Sequence, residues 1–186
     1  MMKTTQYAFE IVQELTQSLQ LISENEAEKL MESITESNKI FVAGAGRSGF
    51  IGKSFVMRMM HMGIDAYAVG ETVTANLKED DLLIIGSGSG ETKTLVSIAE
   101  KAKKLRGTVA VVTTAPESTI GKLADIVVQL PGATKDRTES NYKTIQPMGS
   151  LFEQTMMLFY DALILQFMNK KGLDSQTMYG KHANLE

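Results

Sequence analysis

The chain has 186 residues, with 19 Lys and Arg against 22 Asp and Glu, which gives a formal net charge of −3. This length suffices for one domain with a full hydrophobic core and is short for two domains of ordinary size. The charge balance excludes a broad basic field for nucleic acid or acidic membranes, so an anionic ligand has to be bound locally. The absence of Cys excludes disulfides and Cys-ligated metal centres and fits a reducing cytoplasm.

The apolar stretches of the sequence do not predict a membrane segment. The N-terminus, Met-Met-Lys-Thr-Thr-Gln, lacks the apolar core of a signal peptide. The longest apolar helix, residues 151–168, is interrupted by Glu153 and Asp161 and does not read as a membrane span. The two His residues, His61 and His182, lie far apart in sequence, which argues against a His-rich metal site. We expect a cytoplasmic protein.

The N-terminal third changes from helical patterns to alternating strands and helices. Residues 4–37 have the apolar spacing of two amphipathic helices, and Ser23 and Glu26 have the spacing of a capping box between them. The predicted strands are residues 40–43, 66–69, 82–85, 109–113 and 126–130. The predicted helices between them are residues 48–61, 92–105 and 118–124, with Gly63 and Gly107 at C-cap positions. This alternation predicts an α/β fold with a five-stranded parallel sheet and right-handed crossovers.

The C-terminal part of the sequence is predicted to complete the same domain. Residues 131–147 have little periodicity and read as a long surface loop, a feature that is often functional in compact domains. An apolar helix starts at Ser150, and a tail follows. We expect a single domain over residues 1–186, with N-terminal helices at 4–37, an α/β core at 39–170 and a C-terminal tail at 171–186.

The segment 86–92, Gly-Ser-Gly-Ser-Gly-Glu-Thr, ends a predicted strand and opens a predicted helix. Its glycines let backbone N–H groups approach an anion, and the helix adds the positive end of its dipole. Ser87, Ser89 and Thr92 add hydroxyl donors. The segment contains no Lys, which argues against a nucleotide-triphosphate site of the Walker type. A tight turn is the alternative, but three glycines interleaved with two serines favour a site for one phosphoryl group.

A second glycine-rich segment, residues 44–49, matches the Gly-x-Gly-x-x-Gly dinucleotide fingerprint. Glu71 lies where an acid for the ribose hydroxyls is expected. Against a dinucleotide stand the short chain, which leaves no room for a substrate domain, and the serine-bearing loop at 86–92. A strand order of 2-1-3-4-5 would bring both loops to the switch point of the sheet, where α/β proteins bind ligands. Two such loops at one crevice favour a small phosphorylated molecule.

These two loops resemble those of the SIS (sugar isomerase) domain family, and the resemblance runs through most of the chain. Residues 58–63, 69–74 and 147–153 are similar, more narrowly, to the 6-phospho-3-hexuloisomerases of the ribulose monophosphate pathway, which serves formaldehyde fixation and detoxification. The resemblance implies a flavodoxin-like three-layer α/β/α sandwich and a homotetramer. It also implies the reversible, metal-independent and cofactor-free isomerisation of D-arabino-3-hexulose 6-phosphate to fructose 6-phosphate.

The resemblance further implies a set of site residues. Glu153 matches the catalytic base, and the phosphosugar is expected on the two loops. The candidate substrate-binding residues are Gly46, Arg47, Ser48, Ser87, Gly88, Ser89, Gly90, Glu91 and Thr92. His61 and His182 are candidates for polarising oxygens or moving protons, although an isolated His is more often structural. In several members of the family a C-terminal His reaches the adjacent subunit's site, which makes His182 a candidate for that role.

The chemistry of such an isomerase needs one well-placed carboxylate. Moving a ketone from C3 to C2 requires removal of the C2 proton and return of a proton at C3, through a 2,3-enediol. Glu153 stands near the start of an apolar helix and suits this task. The spacing Ser150-x-x-Glu153 is also that of a capping box, in which Glu153 would only bind backbone N–H groups. The resemblance favours catalysis.

Two other functions share the same loops. An arabinose 5-phosphate isomerase has to open a furanose ring and is expected to need an acid for it, whereas the 3-hexulose phosphate is open-chain because its C6 oxygen is phosphorylated. A phosphosugar-sensing module without catalysis is the other alternative. Its signature would be a fused DNA-binding region, but the N-terminal helices are acidic overall and lack a basic recognition face.

Overall fold

The computed structural model describes residues 2–132 and 143–185 and is built around a five-stranded parallel sheet. The strands, which lie in the order β2-β1-β3-β4-β5, are β1 Ile40–Gly44, β2 Ala66–Ala68, β3 Leu82–Gly86, β4 Thr108–Thr113 and β5 Ile126–Gln129. Both the parallel sheet and the predicted order 2-1-3-4-5 are confirmed. Each observed strand end lies within one residue of its prediction.

The described residues form seven helices. They are α1 Thr4–Leu19, α2 Glu24–Glu36, α3 Gly46–His61, α4 Lys93–Lys104, α5 Thr119–Leu123, α6 Ser150–Lys171 and α7 Ser175–Tyr179. The sequence did not predict α7, which lies in the expected tail and is too short to show an apolar period. Asp174 caps it by accepting the N–H of Thr177 at 2.7 Å. Within the described ranges, no helix has the length and apolar character needed to cross a membrane.

The helices cover both faces of the sheet, so the chain is a three-layer α/β/α sandwich. Helices α2, α3 and α6 bury Leu30, Met59 and Phe159 on one face. Helices α4 and α5 bury apolar side chains on the other face, and α1 packs against α6. Adjacent residues of β3, Ile84 and Ile85, belong to opposite cores and are fully buried, because successive strand side chains alternate between faces.

Two of the predicted helix caps differ from the structure. Ser23 caps α2 by accepting the N–H of Glu26, but the capping box is wrong in its second half. The carboxylate of Glu26 instead accepts the N–H of Gln129 at 2.8 Å and so binds the edge strand β5. After α4 the positive φ, 65°, falls on Arg106 and not on Gly107. At Gly107 a Cβ would lie 2.6 Å from a terminal methyl group of Leu77, so a larger residue there would require that side chain to shift.

Helix α1 anchors the segment that leads into α6. Part of the predicted loop, residues 133–142, lies outside the described residues, and residues 143–149 form no helix or strand. The carboxylate of Glu14 accepts the hydroxyl of Thr144 at 2.6 Å, the N–H of Ile145 at 2.8 Å and the side-chain amide of Gln146 at 2.9 Å. Burial opposes ionisation of Glu14, but these bonds outweigh it and lower its pKa. An ionised Glu14 therefore fixes the approach to α6.

Candidate active site

The carboxyl ends of β1 and β3 form a crevice at the switch point of the sheet. Gly44 pairs with Gly86 in the parallel register, so the loops that follow these strands start side by side. Helix α3 leaves β1 toward one face, and α4 leaves β3 toward the other. Such a crevice is where open α/β sheets bind ligands.

The first loop in chain order, residues 44–49, leads into α3, whose start has no side-chain cap. This helix begins at Gly46, two residues before the predicted start at Ser48. Gly46 has φ 58°, in the left-handed region that favours glycine, and the N-cap residue Ala45 has no side-chain oxygen. The first-turn N–H groups are therefore left without a side-chain cap. Ser48 lies in this turn, and its hydroxyl donates to no acceptor within the described ranges.

The second loop, residues 86–92, leads into α4, whose start also has no side-chain cap. The N-cap residue Thr92 makes no side-chain capping bond. The Ser87 hydroxyl accepts the N–H of Gly90 at 3.2 Å, and the Ser89 hydroxyl accepts the N–H of Glu91 at 3.3 Å. Both serine oxygens therefore shape the loop. Among residues 2–132 and 143–185 none of the three hydroxyls donates a hydrogen bond, which leaves their protons for a ligand.

Glu91 connects this loop to α5. Its carboxylate accepts the N–H of Thr119 at 2.7 Å and the hydroxyl of the same residue at 2.8 Å, and these bonds lower the pKa of Glu91. Gly90 has φ 62°, and a Cβ there would lie 1.9 Å from the Ser118 hydroxyl oxygen. Because Thr119 of α5 binds the Glu91 carboxylate, the contacts of Glu91 support a role in holding the loop.

Glu153 lies at the head of α6, within ion-pair distance of α3. Nε of Arg47 is 3.1 Å from Oε2 of Glu153, and Nη1 of Arg47 donates to the Ser150 hydroxyl at 3.2 Å. The Glu153 side chain is only 9% exposed. The capping-box alternative is wrong, because the N-cap is Gly149 and Ser150 is already the first residue of the helix. Glu153 is then the fourth helical residue, and its carboxylate faces Arg47.

The head of α6 also contacts the second loop. A Cβ on Gly88 would lie 3.2 Å from the ring of Phe152, the residue before Glu153. One helix end therefore contacts both loops, and the carboxylate of Glu153 stands beside the crevice that they form. This arrangement places a nearly buried carboxylate beside two helix N-termini that have no side-chain cap.

Comparison with known proteins agrees with this geometry. Residues 33–163 match the family model of the SIS domain. The chain belongs to the SIS domain family. It is 60% identical over 185 residues, the full length of both proteins, to 3-hexulose-6-phosphate isomerase of Bacillus subtilis (strain 168). It is 38% identical to the 3-hexulose-6-phosphate isomerase of Mycobacterium gastri, over 84% of this chain and 78% of that protein.

A solved structure shares both the SIS fold and sequence similarity with this chain. It is that of a hypothetical protein from Methanococcus jannaschii, for which a molecular function of 3-hexulose-6-phosphate isomerase has been inferred. The TM-score is 0.80 at 32% identity, and the match covers 97% of each chain. The similarity therefore extends over the whole SIS domain and its flanking helices.

His61 and His182 lie at the opposite end of α3 in this SIS domain. Arg47 is in the first turn of α3 and His61 is its last residue, which separates them by roughly 21 Å along the helix axis. The two imidazole rings stack with centroids 5.3 Å apart. With Arg58 and Asp161 they line a cleft of about 440 Å³. Within one chain, the structure brings the two His residues to each other and not to Glu153.

The buried His61 is expected to make the stability of this SIS domain depend on pH. Burial lowers its pKa, and the nearby charges of His182 and Arg58 lower it further. The stabilisation is fully present above the ordinary His pKa of about 6.5 and is lost as pH falls toward the lowered pKa of the folded state. Between pH 7.5 and 5 the Tm of the wild type should therefore fall more steeply than that of His61→Gln. Parallel Tm profiles in thermal denaturation would contradict this.

Glu71, the acid of the dinucleotide alternative, is engaged elsewhere. It forms an ion pair with Lys53 of α3. The last glycine of the fingerprint, Gly49, serves the close contact between α3 and β1, since a Cβ there would lie 2.7 Å from the Gly44 carbonyl oxygen. Neither contact requires a nucleotide.

Proposed function

We propose that this SIS domain catalyses the reversible isomerisation of D-arabino-3-hexulose 6-phosphate to fructose 6-phosphate. The observation that carries the proposal is the position of Glu153, a nearly buried carboxylate held by Arg47 beside the two loops. The 60% identity to the Bacillus isomerase supports the choice of substrate. The enzyme is an intramolecular oxidoreductase acting on a ketose phosphate.

The phosphate is bound by neutral donors in this proposal. The hydroxyls of Ser48, Ser87, Ser89 and Thr92 supply hydrogen bonds, and the uncapped starts of α3 and α4 supply backbone N–H groups. Both helix dipoles place partial positive charge at the crevice. Gly46, Gly88 and Gly90 keep the backbone close to the anion.

Glu153 moves the proton between the two carbons. Its carboxylate takes the proton from C2, the C–H electron pair forms the C2–C3 double bond, and the C3 carbonyl oxygen becomes a hydroxyl by taking a proton from the candidate acid, His182. In the second half the C2 hydroxyl gives its proton back to His182 and becomes the carbonyl, while C3 takes the proton from Glu153, so no net proton is consumed. The Arg47 guanidinium lies against Glu153 and orients the carboxylate. Its positive charge also stabilises negative charge that develops on the substrate oxygens.

The two His residues act in a neighbouring subunit of a homotetramer in this proposal. His61 is separated from Arg47 by the length of α3, and His182 stacks on His61, so both are too far away to serve the site of their own chain. Large apolar side chains are exposed on α3 and α6, where Phe50 is 71% and Leu165 is 65% exposed, and Leu165 lines the same cleft as His61. Exposed apolar groups of this size support subunit contacts. The lack of Cys and an ionic, membrane-impermeant substrate favour the cytoplasm.

The substrate assignment is tested by a direct comparison of substrates. The purified chain should form fructose 6-phosphate from the 3-hexulose phosphate. It should leave arabinose 5-phosphate unchanged, and a dinucleotide titration should show no saturable binding. Faster turnover of arabinose 5-phosphate would transfer the proposal to that reaction. Phosphosugar binding with no turnover of either compound would favour a sensor.

The phosphate contacts are tested by removing single hydroxyls. Ser48→Ala and Ser87→Ala should each weaken phosphosugar binding by about 1–2 kcal/mol, because one net hydrogen bond is lost, and should raise KM about 5- to 30-fold. The matched control is Ser97→Ala on α4, whose side chain is exposed and makes no hydrogen bond within the described ranges. Unchanged KM and kcat in both loop variants would reject the assignment.

A further inference from the structure

The carbonyl of Gly88 in the second loop receives three hydrogen bonds from two consecutive residues at the end of β4. The N–H of Thr114 donates to it at 3.1 Å, the Thr114 hydroxyl at 2.8 Å and the Thr113 hydroxyl at 3.1 Å. Thr113 is the last residue of β4, and its side chain is buried. A carbonyl oxygen has two lone pairs, so three donors saturate it and fix its direction.

The direction of this carbonyl determines the direction of the next N–H group. The Gly88–Ser89 peptide is trans, so its C=O and N–H point to opposite sides. The carbonyl points toward β4, and β1 lies on the other side of β3. The N–H of Ser89 therefore points toward the crevice between β1 and β3. Within the described ranges it has no hydrogen-bond acceptor.

Helix α5, which follows β4, holds the same loop. The N–H of Ile120 donates to the Gly90 carbonyl at 3.1 Å, and Thr119 binds the Glu91 carboxylate. The Thr113 hydroxyl is itself fixed, because it accepts the N–H of Ala115 at 3.1 Å. The hydroxyls of Thr113 and Thr114 are therefore part of a hydrogen-bonded network that holds the second loop.

We propose that Thr113 and Thr114 are positioning residues that aim the Ser89 N–H at the phosphate of the substrate. Neither side chain touches the substrate in this arrangement, since both hydroxyls are directed at Gly88. The inference rests on the proposed function for the nature of the ligand. It adds that phosphate affinity is set from β4, on the far side of the loop from the crevice.

The test measures phosphate binding without relying on turnover. Thr113→Val/Thr114→Val keeps the side-chain shape and the backbone bond of Thr114 but removes both hydroxyl donors. Titration calorimetry with inorganic phosphate and with fructose 6-phosphate should show about tenfold weaker binding of both, because two hydrogen bonds that orient the peptide are lost. In an assay KM should rise by a similar factor, while kcat changes less than about threefold because Glu153 is untouched. Thr114→Ser, which keeps the hydroxyl at position 114 and leaves Thr113 unchanged, should bind as the wild type does.

The matched control is Thr108→Val, at the other end of β4. Its hydroxyl makes no hydrogen bond within residues 2–132 and 143–185, so phosphate binding should not change. If the double variant does not fold, Thr114→Val alone decides, with about threefold weaker binding expected. Folded variants that bind phosphate as tightly as the wild type, or that lose kcat with KM unchanged, would overturn the inference. Weaker phosphate binding in a chain that never isomerises the hexulose phosphate would reject only the proposed function.

Discussion

Glu153→Gln is expected to lower the isomerase turnover by about 10²- to 10⁴-fold, the usual contribution of a positioned general base. The amide keeps the size of the side chain but cannot take the proton from C2. Incorporation of deuterium from solvent at C2 should be lost together with turnover, because both start with the same proton removal. The measurement is kcat from the coupled assay and the NMR signal of the C2 hydrogen of the 3-hexulose phosphate in D₂O, because C2 of fructose 6-phosphate is the carbonyl carbon and carries no hydrogen.

The fold of this variant should remain intact. Glu153 faces Arg47, whose side chain is 60% exposed and can be solvated when the ion pair is lost. Glu117→Gln is the matched control, since Glu117 is exposed and makes no hydrogen bond within the described ranges. It should keep both activity and exchange. Substantial deuterium exchange in Glu153→Gln would mean that another group removes the C2 proton.

The architecture was predictable because its signals are local. Short apolar runs rich in Val and Ile, separated by amphipathic helices, define buried parallel strands, and the positions of 40–43 and 82–85 fixed where the two glycine loops begin. The short helix Ser175–Tyr179 was missed because five residues carry no measurable period. The capping box at Ser23 was only half correct, since the Glu26 carboxylate accepts the N–H of Gln129 on the edge strand β5 and not the N–H of Ser23. Tertiary contact overrode a local pattern there.

The site was predictable in its members but not in its contacts. The glycine and serine pattern indicated both loops, and the family resemblance supplied Glu153. The ion pair between Arg47 and Glu153 joins residues more than 100 positions apart, and no local period reports such a pair. The same holds for Glu14 and the segment it anchors. The hydrogen bonds from Thr113 and Thr114 to the Gly88 carbonyl form because β4 lies beside β3 in the sheet. The sequence indicates this neighbourhood only through the predicted order of the strands.

Mixing two defective chains is expected to restore activity if His182 serves a neighbouring subunit. Nδ1 of His182 lies 2.9 Å from the Ala183 carbonyl oxygen, which can only accept, so Nδ1 carries a proton and Nε2 is the nitrogen left for a substrate oxygen. His182→Ala alone should lose about 10²-fold in kcat, as expected for a group that moves protons between oxygens. Glu153→Gln chains and His182→Ala chains, mixed in equal amounts under conditions that exchange subunits, should regain about one quarter of wild-type activity, because a quarter of the shared sites combine both intact residues.

The control for this mixture replaces the His182→Ala chain with one that carries both substitutions. No site can then contain an intact Glu153, so activity should stay at the level of Glu153→Gln alone. Differently tagged chains and native mass spectrometry establish that the subunits exchanged. Failure to regain activity in verified mixed oligomers, or full activity of the His182→Ala protein, would place His182 outside the active site. The stacked pair with His61 would then serve the packing of α7 against α3 and α6.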